Sequence, residues 1–363
     1  MTSALLGRLA AKRLYAGVEG RRKNKSVMPK VSQKITLGLG LVIGAFFLWL
    51  AIRDVEFKPV ADSLKRANHW LAVPFLMSLG LFYWLKAVRW AYLLLPSKKI
   101  PARDLVPPMI IGFAGNNILP ARLGELLRIY MLGRDQQLSK SLVLATIVLE
   151  RMFDAVSILI LLTLAMYFAS LNFGDLAAVR FLLVVLVFVT FVAAYSVVLA
   201  PRWLSALVSS VLKILPGRLR QPISHRFRDI RRGLAALRQG HALLRIMLNS
   251  LAQWLLMSLC VYLAIQAFNI DIFPLAAVLI LGLVVVGISL PSAPGFIGTI
   301  EYCFVLGLGF FGVTASEALG IGIFYHTLTF VSVTLAGAVF LRRYNTSIHE
   351  LRKGAAEVKT LGN

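Results

Sequence analysis

The chain has 363 residues, 58% of them hydrophobic and only 15% charged, with a mean hydropathy of +0.78. That balance excludes a water-soluble globular domain and predicts an all-α polytopic membrane protein. The formal net charge of +23 would suit a nucleic-acid binder, but the basic residues crowd into the connections between apolar runs and form no basic face with stacking aromatics, so no nucleic-acid partner is expected.

Residues 1–34 carry nine Lys or Arg against one acid, Glu19, and contain no apolar core long enough for a secretory signal. They read as a basic cytoplasmic tail; Met28-Pro29-Lys30 would make an ordinary start, with residues 1–27 an extension ahead of it. Ile35 to Ile52 is the first span, about 27 Å long as a helix, just enough for the hydrocarbon core. Trp70 to Leu95 is the second, with Trp84, Trp90 and Tyr92 placed like interface anchors. Lys86 and Arg89 near its end are expected to snorkel to the interface.

The next stretch is the most informative. Between Pro107-Pro108 and Leu132-Gly133 lie Gly112, Gly115, Asn116, Asn117, Pro120, Arg122, Glu125 and Arg128, in a segment otherwise apolar enough for a membrane. Proline removes a backbone donor and glycine lowers helix propensity, so two half-helices joined by an unwound Gly-Asn-Asn turn are expected. Pro120 then stands in the first turn of the second half, with an asparagine free to cap it.

Ser141 to Ser170 is a long span interrupted by Glu150, Arg151 and Asp154, and Leu176 to Ala200 is another. Residues 201–245 hold ten Lys or Arg against Asp229. Phe227, Ile230, Leu234, Leu237, His241 and Leu244 alternate at spacings of three and four, one face of an amphipathic helix. It is expected either to lie on the membrane surface or to cover the cytoplasmic ends of the bundle. Ile246 to Phe268 and Phe273 to Leu290 are further spans. Pro291 to Glu301, with Pro294, Gly295 and Gly298, is a second interruption, and the run after it to Val313 is too short to cross. Ala318 to Leu341 is the last span, which bounds a transmembrane unit of 35–341 and a cytoplasmic tail of 342–363.

These runs make about eight transmembrane segments, interrupted or re-entrant ones included. Placing 1–34, 96–104, 133–140, 201–245 and the tail on one side gives that side twenty-nine of the thirty-nine Lys and Arg, while 171–175, 268–272 and 314–317 hold none. Both termini are therefore expected in the cytoplasm, provided 105–132 enters and leaves on one side. Leu119-Pro120 leads to Gly124-Glu125 as Leu290-Pro291 leads to Gly298 and Glu301, the kind of echo that points to a binding site between inverted repeats.

Ionisable groups in a bilayer cost several kcal/mol, so a chain that keeps two polar clusters is expected to use them. Arg122, Glu125 and Arg128 follow at i, i+3 and i+6, Glu150 and Asp154 at i, i+4, and Arg151 and Asp154 at i, i+3, so each set can neutralise itself in part. One reading is a structural ion-pair lock between helices. The other is that an arginine and the amides of an opened turn hold a phosphate while carboxylates orient it. His326 is expected to be a hydrogen-bonded core residue, and Glu301 either a cap or ion-pair partner or a site residue. Cys260 and Cys303 fall within apolar runs and read as packing residues. No metal or cofactor motif is present.

At Asn116 to Arg128, at Glu150-Arg151-Met152-Phe153-Asp154 and at Pro291 to Glu301 the chain resembles the lysylphosphatidylglycerol synthase transmembrane-region family, described as flippase-like, over roughly residues 30–345. In bifunctional members this region moves aminoacylated phosphatidylglycerol between leaflets while a separate soluble domain makes it. The chain ends about twenty residues after its last span, so a stand-alone member without the synthase domain is expected. Stand-alone relatives are linked variously to polyprenyl-phosphate sugars, hopanoids and phospholipids. The resemblance thus implies a lipid translocase of the bacterial inner membrane, not an enzyme, with an anionic phospholipid or polyprenyl-phosphate lipid as cargo. Asn116, Asn117, Arg122, Glu125, Arg128, Glu150, Arg151, Asp154, Pro294, Gly295 and Glu301 would form its groove. A membrane-embedded transferase with Glu150 or Asp154 as base and an envelope-complex scaffold are the alternatives.

Overall fold

The computed structural model describes residues 30–119, 122–168, 185, 240–290 and 293–343. The tails, almost all of the 176–200 span, most of 201–245, and Pro120 and Pro291 lie outside the described residues. Every regular element described is helical: α1 Lys30–Ile52, α2 Phe57–Arg66, a 3-10 turn His69–Leu71, α3 Ala72–Leu94, α4 Ala102–Ile118, α5 Leu123–Asp135, α6 Lys140–Phe168, α7 Gly240–Gln266, α8 Pro274–Ser289, a 3-10 turn Pro294–Phe296, α9 Thr299–Gly309 and α10 Ala315–Arg343. This is a polytopic membrane protein. Helix α3 with its leading turn, α7 and α10 are each long and apolar enough to cross, and α1 with α2 forms a bent pair at 83°. Helix α6 has the length, 29 residues, but places Glu150, Arg151 and Asp154 near its middle.

Helix α2 is not foreseen by the mixed charges of 53–68. Its apolar edge is short, Val60 with Leu64, and it is held by burial against Ala51 and Leu319 rather than by a long periodic stripe. Residues 240–245, read as the end of the basic segment, are instead the first turns of α7. Cys260 and Cys303 are buried packing residues, each against a backbone carbonyl, of Phe75 and Leu283 respectively.

Helices α4 and α5 are about 25 and 20 Å long, each short of a full crossing. Lys98, ahead of α4, donates from Nζ to the carbonyl of Gln136, just beyond α5, at 2.9 Å. The chain therefore enters and leaves this hairpin at one end, as the charge parity requires. Helices α8 and α9 form a second hairpin, closed at its open end by Phe273 against Phe311, with ring centroids 5.7 Å apart. The two hairpins open at opposite ends of α3. Its start is fixed beside α7 and the second hairpin's open end by the Asn68 amide on the Ala267 carbonyl at 2.6 Å, and its end runs to Ser97 and Lys98 beside the first.

The hairpins meet tip to tip. Arg122 donates to the Ile288 carbonyl at the end of α8 and lies over the Phe296 ring, 5.7 Å from its centroid. Long helices pack around them, α10 against both α4 and α9, and α1 against the second tip, where Gly44 meets Ala293 and Gly298 meets Leu48.

The expected Gly-Asn-Asn turn does not unwind: Gly115, Asn116 and Asn117 remain helical, and the break comes later, with Leu119 extended and Arg122 left-handed at φ 54°. The glycines act as a contact surface instead of a hinge. A Cβ on Gly124 would fall on the Gly112 carbonyl oxygen and within 2.6 Å of the Asn116 amide nitrogen, so the two backbones touch there. Asn117 is likewise not a cap; its amide donates to Thr334 Oγ1 of α10 at 3.0 Å.

Gly124→Ala is expected to lower the unfolding free energy of the detergent-solubilised protein by about 1–3 kcal/mol, the usual cost of overpacking. Gly80→Ala, where nothing lies within 4 Å of the new methyl, is expected to be neutral or stabilising by about 0.5–1 kcal/mol. Equal effects in thermal or denaturant melts would contradict the close hairpin contact.

Candidate functional site

The two polar clusters come together with a third that the sequence reading assigned elsewhere. Lys86 and Arg89 do not snorkel. They lie in the last three turns of α3 on the face turned to α6, where two carboxylates meet them. Lys86 Nζ lies 3.1 Å from Glu150 Oε1 and 3.2 Å from Asp154 Oδ2, while Arg89 Nη1 donates to Asp154 Oδ1 at 2.8 Å and to Ser250 Oγ at 2.8 Å. Arg128 Nη2 donates to Glu150 Oε2 at 2.7 Å. All five side chains are at most 8% exposed.

Trp90 belongs to this core and not to the membrane interface. It is fully buried, donates from Nε1 to Thr146 Oγ1 at 3.0 Å, and presents its ring 3.6 Å from the Arg128 guanidinium. Arg128 is thus held between an aromatic face and a carboxylate, a geometry in which desolvation strengthens cation–π attraction. Trp254 adds a hydrogen bond to Asp154 Oδ1 at 3.2 Å. A buried charge network survives only when its members are mutually paired, and this one ties α3, α5, α6 and α7 together.

The expected pairing within each set gives way to pairing between helices. Glu125 of α5 bonds Arg151 of α6 at 2.9 Å, whereas the Arg151–Asp154 approach on α6 is 4.0 Å. Unlike the buried five, this pair reaches the surface: the Arg151 side chain is 44% exposed and that of Glu125 30%. Arg122 makes no ion pair with any described carboxylate and is also exposed. The charged region therefore has a sealed inner half and an open outer half.

The open half borders a cavity of about 210 Å³ where the two hairpin tips meet. Of the eleven residues the sequence nominated, Asn116, Asn117, Arg122, Glu125, Arg151, Asp154 and Gly295 line it, with Lys86 in its wall beside Asp154. Asn116 Oδ1 is buried there with no hydrogen-bond partner. Arg128, Glu150, Pro294 and Glu301 are not among its walls. His326, read as a core residue, does line it, as do Phe296 and Thr329.

His326 is hydrogen-bonded as expected, but to an acid: its Nδ1 lies 2.6 Å from Glu301 Oε1, and its Nε2 lies 2.8 Å from the Gly295 carbonyl. Glu301 is a cap as well, accepting from the Gly298 amide at 2.7 Å. The sequence separation of 25 residues hides this pair, and only the approach of α10 to α9 reveals it.

Beside the cavity, across Tyr83 and Val333, which line both, lies an apolar groove of about 370 Å³ between α3, α4 and α10. Its walls are Leu76, Leu79, Trp84, Ile110, Ala336 and their neighbours, with Ser332 the one hydroxylated residue besides Tyr83.

The family described as the lysylphosphatidylglycerol synthase TM region matches residues 37–337. A UPF0104 membrane protein of Methanothermobacter thermautotrophicus is 25% identical over 334 residues, covering 85% of this chain and 96% of the relative. A UPF0104 membrane protein of Methanocaldococcus jannaschii is 24% identical over 238 residues, covering 62% of this chain and 91% of the relative. No solved structure matches.

The division between sealed and open halves is measurable. Glu150→Gln, which leaves Arg128, Lys86 and Arg89 with Asp154 alone, is expected to cost about 3–5 kcal/mol of stability. Glu125→Gln, at the exposed pair, should cost less than about 1 kcal/mol. Chemical unfolding in detergent decides it, and similar losses in the two variants would remove the distinction.

Proposed function

We propose that this chain, which belongs to the lysylphosphatidylglycerol synthase TM-region family, is a lipid translocase that carries an anionic headgroup between leaflets through the cavity at the hairpin tips. The observation that carries this reading is Arg122. It is an exposed arginine that forms no ion pair with a described carboxylate, at the wall of a mainly apolar cavity into which Lys86, Glu125, Arg151 and Asp154 also bring charge. With Lys86, Arg89, Arg128 and Arg151 it makes five cations that share Glu125, Glu150 and Asp154. The excess of two positive charges suits a phosphate, which planar guanidinium groups bind bidentately.

The sizes fit the same reading. About 210 Å³ is small for a whole drug-sized ligand and accommodates a headgroup. The adjoining apolar groove, about 370 Å³, offers acyl or prenyl chains a path that stays in contact with lipid. Arg122 and Arg151 would contact the phosphate and Asn116 would donate to it, while Glu125 holds Arg151 in place. Arg128 and Glu150 act as the fixed base on which this site stands, a role revised from direct contact because neither reaches the cavity.

Transport is favoured over transfer chemistry because Glu150 and Asp154 each already accept from two or more cations, which leaves neither free as a base. The location we propose is the bacterial inner membrane with both termini cytoplasmic. The named relatives are archaeal, and the positive-inside argument holds for any cytoplasmic membrane.

In proteoliposomes carrying fluorescent phosphatidylglycerol, with an impermeant quencher reporting leaflet exchange, Arg122→Gln should slow exchange about 10- to 100-fold, the worth of one charge-assisted hydrogen bond. Phosphatidylcholine exchange should be slower than phosphatidylglycerol exchange in the unaltered protein. A folded Arg122→Gln protein that moves phosphatidylglycerol at the unaltered rate would remove the role assigned to Arg122.

A further inference from the structure

The second hairpin tip is held by two side chains in contact, His326 and Glu301. The Gly295 carbonyl can only accept, so His326 Nε2, 2.8 Å away, must carry hydrogen. The short contact between His326 Nδ1 and Glu301 Oε1, 2.6 Å, then needs one more proton, on either the ring or the carboxyl. Without it two lone pairs would face each other at that distance. Both contacts are satisfied together only by a pair carrying that proton, neutral overall, and both residues are buried to better than nine-tenths.

This pair closes the tip at both ends. His326 holds the Gly295 carbonyl, and Glu301 Oε2 accepts from the Gly298 amide at 2.7 Å. Between them Gly295, Phe296 and Gly298 all have positive φ, at 70°, 63° and 84°. Phe296, a side chain with no ease in that region, stays there only while its surroundings hold it. The same phenylalanine ring lies under Arg122, and Gly295 packs on the Asn117 carbonyl of the first tip.

We infer that His326 and Glu301 form a proton-binding site that latches the second hairpin tip against the first. Resting on the headgroup reading of Arg122, proton uptake there accompanies anion binding in the cavity. Loss of the proton leaves the pair with one negative charge and one ring nitrogen facing an acceptor without hydrogen. Either the Gly295 or the Glu301 bond must then be given up, and the tip opens. A proton from solvent restores both bonds, with no other reactant.

Charged and titratable groups surround the pair on several elements. Lys86 of α3, Arg122 just ahead of α5, Glu125 of α5, and Arg151 and Asp154 of α6 line the same cavity as His326. Tyr325 adjoins it on α10, and Cys303 lies two residues from Glu301 on α9. The link to the cavity is mechanical: Phe296, inside the latched turn, carries the Arg122 guanidinium on its ring, so a phosphate that holds Arg122 and a proton that holds the tip each favour the closed contact and each binds more tightly in the presence of the other.

Two substitutions push the latch in opposite directions. In Glu301→Gln the amide oxygen still accepts from Gly298 and its NH₂ donates to Nδ1, which reproduces the protonated geometry without a titrating proton. In His326→Ala the Gly295 carbonyl loses its donor and the tip is unlatched at every pH. Amide hydrogen exchange of residues 295–298 in full-length protein in nanodiscs, across about pH 5–9 where histidine chemistry titrates, reads this directly. After correction for intrinsic rates, the unaltered protein should lose about ten-fold protection as pH rises, Glu301→Gln should stay protected and His326→Ala exposed throughout. A flat profile in the unaltered protein, or a pH step that survives in His326→Ala, overturns the latch. Leaflet exchange of phosphatidylglycerol tests the coupling separately, since Glu301→Gln should stop it. Exchange at the unaltered rate in Glu301→Gln overturns the coupling, and no exchange even in the unaltered protein overturns both the coupling and the transport reading, while the pH step still decides the latch.

Discussion

The structure depends on one electrostatic constraint, the burial of three cations with two carboxylates. Lys86, Arg89 and Arg128 share Glu150 and Asp154 at separations of 2.7–3.5 Å with almost no exposure. An unpaired charge at that depth costs far more than any single contact gains, so each member requires the others to be in place. Helices α3, α5, α6 and α7 are thereby fixed in register, with α5 kept upright although it is too short to span. The re-entrant hairpin is stable in the bundle because its second helix joins this network near its middle, through Arg128, and its first touches that helix through the Gly112, Gly115 and Gly124 contact.

From that fixed base the functional geometry follows. Arg122 and Arg151 belong to the same two sequence clusters as Arg128 and Glu150 but lie on the side facing the hairpin tips, where the chain turns and backbones separate. A single polar region is thus divided by depth. Its inner part is buried and ion-paired, although Arg89 Nε and Nη2 and Arg128 Nε find no hydrogen-bond acceptor, and its outer part is left with positive charge and a cavity. Under the proposed reading, Arg89, Arg128 and Glu150, which stay out of the cavity, set the geometry, so the helices keep their places whether or not an anion is held.

The meeting of two hairpins that open at opposite ends of α3 gives the cavity a two-sided character. One tip contributes Asn117 and Arg122, the other Gly295 and Phe296. Discontinuous helices placed this way in membrane transporters put backbone and polar side chains at mid-depth without exposing them to lipid. Helix α1 and helix α10 cover what the hairpins leave open, through close contacts at Gly44, Gly298 and Gly337.

Much of this was legible in the sequence, and the limits have physical causes. Hydrophobic run lengths, proline and glycine interruptions and the asymmetry of basic residues determine a polytopic helical protein with re-entrant elements, because the bilayer penalises unpaired backbone and misplaced charge locally, residue by residue. The same penalty marks Arg122, Glu125, Arg128, Glu150, Arg151 and Asp154 as a polar centre. Partnership is not local. That Lys86 and Arg89 turn inward, that Trp90 carries Arg128 on its ring, that Gly115 is a contact and not a hinge, and that His326 finds Glu301 all depend on which helix faces arrive opposite one another. Helix-to-helix approach is decided by packing across residues 22 to 161 positions apart; short-range spacing carries no record of it, so only the tertiary structure separates the charges sealed inside the bundle from those that reach its surface.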